Sequence, residues 1–352
     1  MRFGTFHLFP WHEDKSQEQV LQETIDLVKL SEDLGFESVW LAEHHFSRYG
    51  LGSAVLTIAA TLAGVTQRMR IGTAVVVLPF YNPITLAEEV ATVDLISGGR
   101  FDFGVGRGYQ WSEFSQFNIP LAESRARFEE AIDIMKKAWI EDAFDYRGRF
   151  WTFNDIKVLP KPKQKPHPPI AYAASSREGY QKAAEQGYNL ITGGSTATLD
   201  QIRQNLALYR ETAEAAGRTY NPATFKVTRP VYVAESRRQA WDDSKHRYMW
   251  FVETQRRVSL PPDGQGGPAE MFAERAKITF EHAFDNLGIF GTPDHCIRQI
   301  EALDEVVGGM TEFIPIFTFG GWDQRKTIRS MELFAREVMP HFQYRSRTPV
   351  EA

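Results

Sequence analysis

Two patterns alternate along nearly the whole chain, and this alternation limits the fold more than any other feature. Short runs of strand type, rich in apolar, β-branched and aromatic residues, fall at residues 2–9, 39–41, 71–78, 100–106, 169–174, 188–192, 225–234 and 312–319, those at 39–41 and 71–78 being continuously apolar. Between them, apolar residues recur at three- and four-residue spacing, which predicts helices over 17–34, 54–66, 84–96, 121–140, 178–186, 199–216, 237–257, about 269–284, 294–306 and 323–338. A strand that is apolar throughout is buried on both faces, as in a parallel sheet covered by helical crossovers. Such crossovers are right-handed. Eight of these units predict a (β/α)8 TIM barrel with insertions. An open doubly wound sheet is the alternative. It would carry a glycine-rich turn after its first strand, where this chain has Pro10-Trp11-His12 and no Gly-x-Gly-x-x-Gly. Local stops support the segmentation. Gly35 ends the first helix, Ser53 is expected to cap the second, and Ser97-Gly98-Gly99 ends the third.

The alternation is interrupted in two places. A polar excursion at 146–154 runs into a stretch with prolines at 160, 162, 166, 168 and 169. We read residues 146–169 as an extended Pro-rich insertion inside a single domain covering 1–352, a domain boundary there being the alternative. A second interruption near 259–285, polar and rich in Pro and Gly over 259–268, reads as a mobile loop.

Composition removes several function classes. The formal charge of −5, with no long run of one sign, argues against nucleic acid as a partner. Cys296 is the only cysteine, so an intramolecular disulfide and a cysteine metal cluster are excluded. No apolar stretch reaches the length of a membrane span, and the N-terminus runs directly into a strand. A cytoplasmic protein with no membrane partner is expected.

In a barrel the carboxyl ends of the strands converge on one mouth, where the chemistry sits. The run Val39-Trp40-Leu41 ends in Glu43, His44 and His45, three proton-transferring groups delivered to that mouth. The other strand ends supply His7, residues 75–80, Arg107-Gly108-Tyr109, Ser175-Ser176-Arg177, Thr192-Gly193-Gly194, Arg229 and Phe319-Gly320-Gly321-Trp322. No Gly-x-Ser-x-Gly elbow is present, and the histidine pair has only Glu43 beside it with no His-x-His, so neither a serine hydrolase nor a metal centre is expected. An arginine, hydroxyls, free amides and glycines are the parts of a phosphate site. Each also has a plain structural use: Arg107 as the partner of a carboxylate, Ser175 and Ser176 as a helix cap.

Several motifs together resemble the bacterial luciferase-like, flavin-dependent monooxygenase family. They are Ala42-Glu43-His44-His45-Phe46, the run 71–79, the run 99–108, Phe290-Gly291-Thr292-Pro293 and Ser330-Met331-Glu332-Leu333-Phe334, spread over essentially the whole chain. The resemblance implies a (β/α)8 barrel that uses reduced FMN, supplied by a separate NAD(P)H:flavin reductase, and O2 through a C4a-hydroperoxyflavin. The substrate would be a small or medium apolar compound of aldehyde or ketone type. The resemblance makes His44, with Glu43 and His45, the catalytic group. It also implies a non-prolyl cis bond at Ala74–Val75 beneath the flavin. Arg107, Tyr109, Ser175, Ser176, Arg177, Gly179, Thr192 and Gly193 would bind the cofactor, and the loop at 259–268 would shield the site. A homodimer is implied, with helix faces carrying Leu56 and Leu62, or Leu86 and Val93, as candidates. Gly106 stands where bacterial luciferase has a reactive cysteine and Glu113 where an aspartate is expected, which weighs against light emission. The absence of a dinucleotide fingerprint agrees with a separate reductase. Two other readings of the same barrel are a deazaflavin-dependent hydride-transfer enzyme and a non-catalytic flavin-binding partner subunit.

Overall fold

The computed structural model describes residues 1–194, 197–221, 224–259, 277–320 and 323–345. Eight parallel strands form its centre: β1 (Arg2–His7), β2 (Ser38–Leu41), β3 (Arg70–Thr73), β4 (Phe101–Gly106), β5 (Ile170–Ala173), β6 (Asn189–Gly193), β7 (Phe225–Val233) and β8 (Glu312–Ile316). Each pairs with the next, and β8 pairs with β1, so the ring closes. Outside it lie α1 (Gln17–Asp33), α2 (Val55–Val65), α3 (Pro83–Ile96), α4 (Ser124–Ile140), α5 (Arg177–Gln186), α6 (Leu199–Ala215), α7 (Arg237–Ser259), α8 (Pro293–Val307) and α9 (Gln324–Leu333). The fold is a (β/α)8 barrel. Among the described residues no helix is long and apolar enough to cross a membrane.

Local sequence sets the ends of these elements. At α1, Ser16 accepts from the Gln19 amide while the Gln19 side chain returns to the Ser16 amide, which satisfies two otherwise orphan donors. Pro83 opens α3 behind an Asn82 cap. Ser53 does not cap α2; Ala54 occupies that position and makes no side-chain bond.

Most of the apolar burial lies between the strands and the helices. Val39, Ile71, Phe103 and Val227 from the strands pack in one cluster with Leu27, Leu62, Leu86 and Trp139 from the helices. Burying one such aliphatic side chain is worth roughly 1.5–3 kcal/mol. Leu56, Leu62, Leu86 and Val93 are all buried within this chain. The side chains suggested for a dimer face are therefore already used in its own core.

The barrel interior has two levels. At the amino ends of the strands, Glu312 accepts from Ser38, from Trp40 Nε1 at 3.0 Å and from Lys226 Nζ at 3.3 Å. Burial alone would raise the Glu312 carboxyl, but Lys226 and these donors outweigh it and hold it below the usual range. Gly4 has no room for a side chain here, since a Cβ would meet Ser38 Oγ at 2.2 Å. Above this polar floor, Phe6, Trp40, Ala74, Ala171, Ala173, Ile191 and Ile314 line the interior.

The structure departs from the sequence reading at several points. The run 71–78 is not one strand. The Ala74–Val75 peptide is cis, and pairing resumes only at Val76 and Val77, opposite Val105 and Gly106 of β4. The excursion at 146–154 is an antiparallel hairpin of Phe144–Arg147 with Thr152–Ile156. Its turn is held by the Glu130 carboxylate, which accepts from the amides of Arg149, Phe150 and Trp151. A short helix at Trp111–Gln116 and a strand at Ile289–Gly291 beside β7 were not expected. Of the helix expected over 269–284, the described part is Phe280–Asn286. Most of the loop near 259–285 lies outside the described residues, as do Gly321 and Trp322.

Candidate active site

The carboxyl end of β2 delivers Ala42, Glu43, His44 and His45, all buried. Glu43 braces two strands. It accepts from the Val77 amide at 3.0 Å and from His45 Nε2 at 2.8 Å, and the Tyr81 hydroxyl bonds to it as well. Burial, only partly offset by the His45 contact, raises its carboxyl above the ordinary range. His45 is packed among the rings of Phe117, Phe46 and Phe80 at centroid distances of 4.8, 5.6 and 5.7 Å. Glu43 and His45 thus form a wall that fixes the end of β2 against the continuation of β3. Phe46 turns the chain with φ +58°, a conformation few non-glycine residues adopt.

His44 is wired differently. Its Nδ1 lies 3.0 Å from Glu113 Oε1, the same oxygen that accepts from the His45 amide at 2.9 Å. A carboxylate oxygen already accepting one N–H takes the second bond as acceptor too, so Nδ1–H donates. In the neutral ring this places the lone pair on Nε2. Among the described residues Nε2 makes no hydrogen bond. The ring stands edge-on against Tyr49 at 4.6 Å, and Tyr49 accepts from Gln255 Nε2 of α7 at 2.9 Å. Gln255 also reaches Tyr109 at 3.5 Å, and Ser112 donates to the Val258 carbonyl at 2.8 Å. These bonds fasten α7 over the same corner of the mouth.

One register step beyond the Val77–Gly106 pair lies Arg107. It is half-buried, and among the described residues its guanidinium makes no hydrogen bond or ion pair. Gly106 fits tightly, since a Cβ there would meet Val75 Cγ2 at 2.7 Å. After β5, Ser176 caps α5 by accepting from the Gly179 amide at 3.2 Å, while Ser175 and Arg177 are exposed. Arg125 from α4 pairs with Glu178 in the first turn of α5. Arg107, Arg125 and Glu178 all act on the buried Tyr172 hydroxyl, whose pKa burial raises. The β4 end and the start of α5 therefore share one charged corner. The sequence reading missed Arg125, which sits in a helix with no motif around it.

Not every expected side chain faces this place. Thr192 is buried with its hydroxyl bonded to Tyr180 of α5, so only its backbone is near the loop that Gly193 opens. Gly193 has φ +97° and lies against the Thr228 carbonyl. His7 bonds to Thr5 on the same strand face, whereas Phe6 between them points inward. It belongs to the outer layer, not the mouth. Arg229 also points away from the interior, with its guanidinium bonded to the Gly194, Ala197 and Leu287 carbonyls. Among the described residues no group of three His, Cys, Asp or Glu side chains is placed to hold a metal ion.

The profile of the family described as luciferase-like monooxygenases matches residues 1–309. The chain is 29% identical over 349 residues to a 4-hydroxyprotoasukamycin monooxygenase of Streptomyces nodosus subsp. asukaensis, covering 97% of this chain and 92% of that protein. It is 30% identical over 243 residues to the oxygenase component of a flavin-dependent trigonelline monooxygenase of Acinetobacter baylyi, covering 68% and 67%. Among solved structures, the oxygenating constituent of 3,6-diketocamphane monooxygenase from Pseudomonas putida, in complex with FMN, superposes with a TM-score of 0.82 at 21% identity, covering 97% and 98%. A coenzyme F420-dependent tetrahydromethanopterin reductase from Methanopyrus kandleri superposes with a TM-score of 0.72 at 20% identity, covering 97% and 99%.

Proposed function

The chain belongs to the luciferase-like monooxygenase family, and from that premise we propose that it is the oxygenase component of a two-component system. It takes reduced FMN from a separate NAD(P)H:flavin reductase and uses O2 to oxygenate a small or medium apolar substrate of aldehyde or ketone type. The observation that carries this reading is His44, held at Nδ1 by Glu113 and, among the described residues, left without a partner at Nε2. The reductase is inferred from the relative named as an oxygenase component and from the lack of a dinucleotide fingerprint in this chain.

The donor set fits FMN. Arg107 offers a guanidinium that is unpaired among the described residues, and the start of α5 offers Ser175, Ser176, Arg177 and the Gly179 backbone, a combination suited to a phosphate. A flat ring would lie over the apolar interior formed by Phe6, Trp40, Ala74, Ala171 and Ala173, with Ala74 and Val75 beneath it and Tyr109, Thr192 and Gly193 at its edge. Reduced FMN, when bound, supplies the electrons that activate O2. The chain's own contributions are a proton acceptor and donor at His44 Nε2, a Glu113 carboxylate that orients the ring, and the Glu43–His45 wall that keeps the corner rigid. The apolar lining excludes water from a reaction that water would divert.

His44→Ala tests the reading. FMN affinity should stay within about threefold of wild type, while substrate oxygenation falls by about 10²–10⁴-fold, the usual worth of a positioned acid–base group. Unchanged turnover removes His44 from the mechanism. The F420-dependent relative in fold motivates one further arm. Turnover without oxygen on a reduced deazaflavin would replace oxygenation with hydride transfer.

A further inference from the structure

On the outer flank of the barrel, behind the loop that follows β6, lies a cleft of about 490 Å³ that the chemistry above leaves unused. Its walls are the first turn of α6, with Leu199 and Arg203, then Arg229 of β7, Asp285, and the face of α8 carrying His295 and Arg298.

Charge is unbalanced here. Arg229 is 3% exposed. Its Nη1 donates to the carbonyls of Gly194 and Leu287, each at 3.3 Å, and of Ala197. Nη2 is buried and has no partner. No carboxylate answers this guanidinium among the described residues, and a buried cation without a counter-charge is costly. Burial lowers its pKa to about 10, so it remains charged at neutral pH. The two carboxylates of the cleft are already taken, Asp200 by Arg203 and Asp285 by Arg237, each at 2.5 Å. Arg298 makes no ion pair among the described residues. His295 is pushed down by burial first and then by Arg237 and Arg298, so the net local field is positive.

The start of α6 adds a second set of donors. Its capping box uses the Thr198 amide on Gln201 Oε1 at 2.8 Å and the Gln201 amide on Thr198 Oγ1 at 3.2 Å. The Leu199 and Asp200 amides have no acceptor within the helix, and the helix dipole favours an anion beside them.

We propose that this cleft binds a small metabolite through its phosphate or carboxylate group, at a site separate from the mouth. The anion sits between Arg229, Arg298 and the first amides of α6, and supplies the counter-charge that the protein itself does not. The cleft is much larger than a bare phosphate, so a ligand with an organic body fits it.

The test uses the whole chain and inorganic phosphate, with chloride holding the ionic strength constant and the thermal midpoint and heat of binding followed together. Phosphate would also enter an FMN phosphate site at Arg107, so Arg107→Gln is titrated in parallel. We expect wild type and Arg107→Gln both to keep a saturable response, and the exposed Arg298→Gln to weaken it by about tenfold, as loss of one charged hydrogen-bond donor does. Crystals soaked in tungstate should show an anomalous peak within hydrogen-bond reach of Arg229. A response abolished by Arg107→Gln and untouched by Arg298→Gln would assign the anion to the mouth alone and overturn the proposal, as would the lack of any saturable response. Failure of FMN to bind, with phosphate still held in an Arg298-dependent manner, would remove the flavin reading and leave this one standing.

Discussion

The adjacent histidines differ because their ring nitrogens meet different groups. His45 gives Nε2 to the buried Glu43, whereas His44, among the described residues, is bound through Nδ1 alone, to Glu113. Glu113→Gln keeps an acceptor for the His45 amide but removes the charge that orients His44. Turnover at saturating substrate should fall by about tenfold or more while FMN affinity changes little, as expected for a partner that positions a catalytic ring. Recovery of part of the loss in Glu113→Asp would separate this from a folding defect. Glu43, His44 and His45 were legible because they are contiguous at a strand end. Their sorting was not, because Glu113 comes 69 residues after His44 and meets it only through the fold. His7 shows the same limit. It reads as a mouth residue, yet its strand face turns it into the core, where burial lowers its pKa from 6.5 to about 4. Between those values the unfolded chain binds a proton that the folded chain does not. Stability is therefore complete above pH 6.5 and lost as pH falls toward 4, by roughly 3 kcal/mol. Urea unfolding midpoints should fall across that interval in wild type, and fall less in His7→Gln.

Among the elements, the ones read correctly from sequence are those whose burial is uniform. β2 and β4 are buried at every position, so the apolar run Val39-Trp40-Leu41 and the aromatic and β-branched residues around Asp102 identify them. The run 71–78 is equally apolar, and nothing in its composition separates it from an unbroken strand. Just before the interruption at Ala74–Val75, β3 and β4 approach closely. A Cβ on Gly104 would lie 1.7 Å from the Thr73 carbonyl oxygen, too close for any rotamer to relieve. The Thr73 hydroxyl, in turn, bonds both the amide and the carbonyl of Gly104. Gly104→Ala should force the two strands apart and destabilise the protein by about 3 kcal/mol or more, read from the chemical denaturation midpoint. The hairpin at Phe144–Arg147 and Thr152–Ile156 was hidden for the opposite reason. It is mostly solvated, and its turn depends on Glu130 of the preceding helix α4, a contact that no local pattern announces. Polar composition is a poor guide to strands of that kind.

For the molecule as a whole, closure of the ring concentrates charge at its amino end. Lys226 and Glu312 sit opposite each other on β7 and β8. Lys226→Met should leave Glu312 buried with the partly exposed Arg2, at 3.5 Å, as its remaining ion-pair partner among the described residues. A cost of about 3 kcal/mol is expected, visible in the thermal midpoint and larger near neutral pH than in acid, where the carboxyl is protonated. That same knot of Ser38, Trp40, Lys226 and Glu312 has a kinetic consequence. A vessel stoppered at its base has a single door, so its contents queue. Whatever occupies the depth of the chamber enters first and departs last, and a second guest stacked above it blocks the way out. For the flavin and substrate proposed above, such a shape predicts ordered addition, ring before substrate.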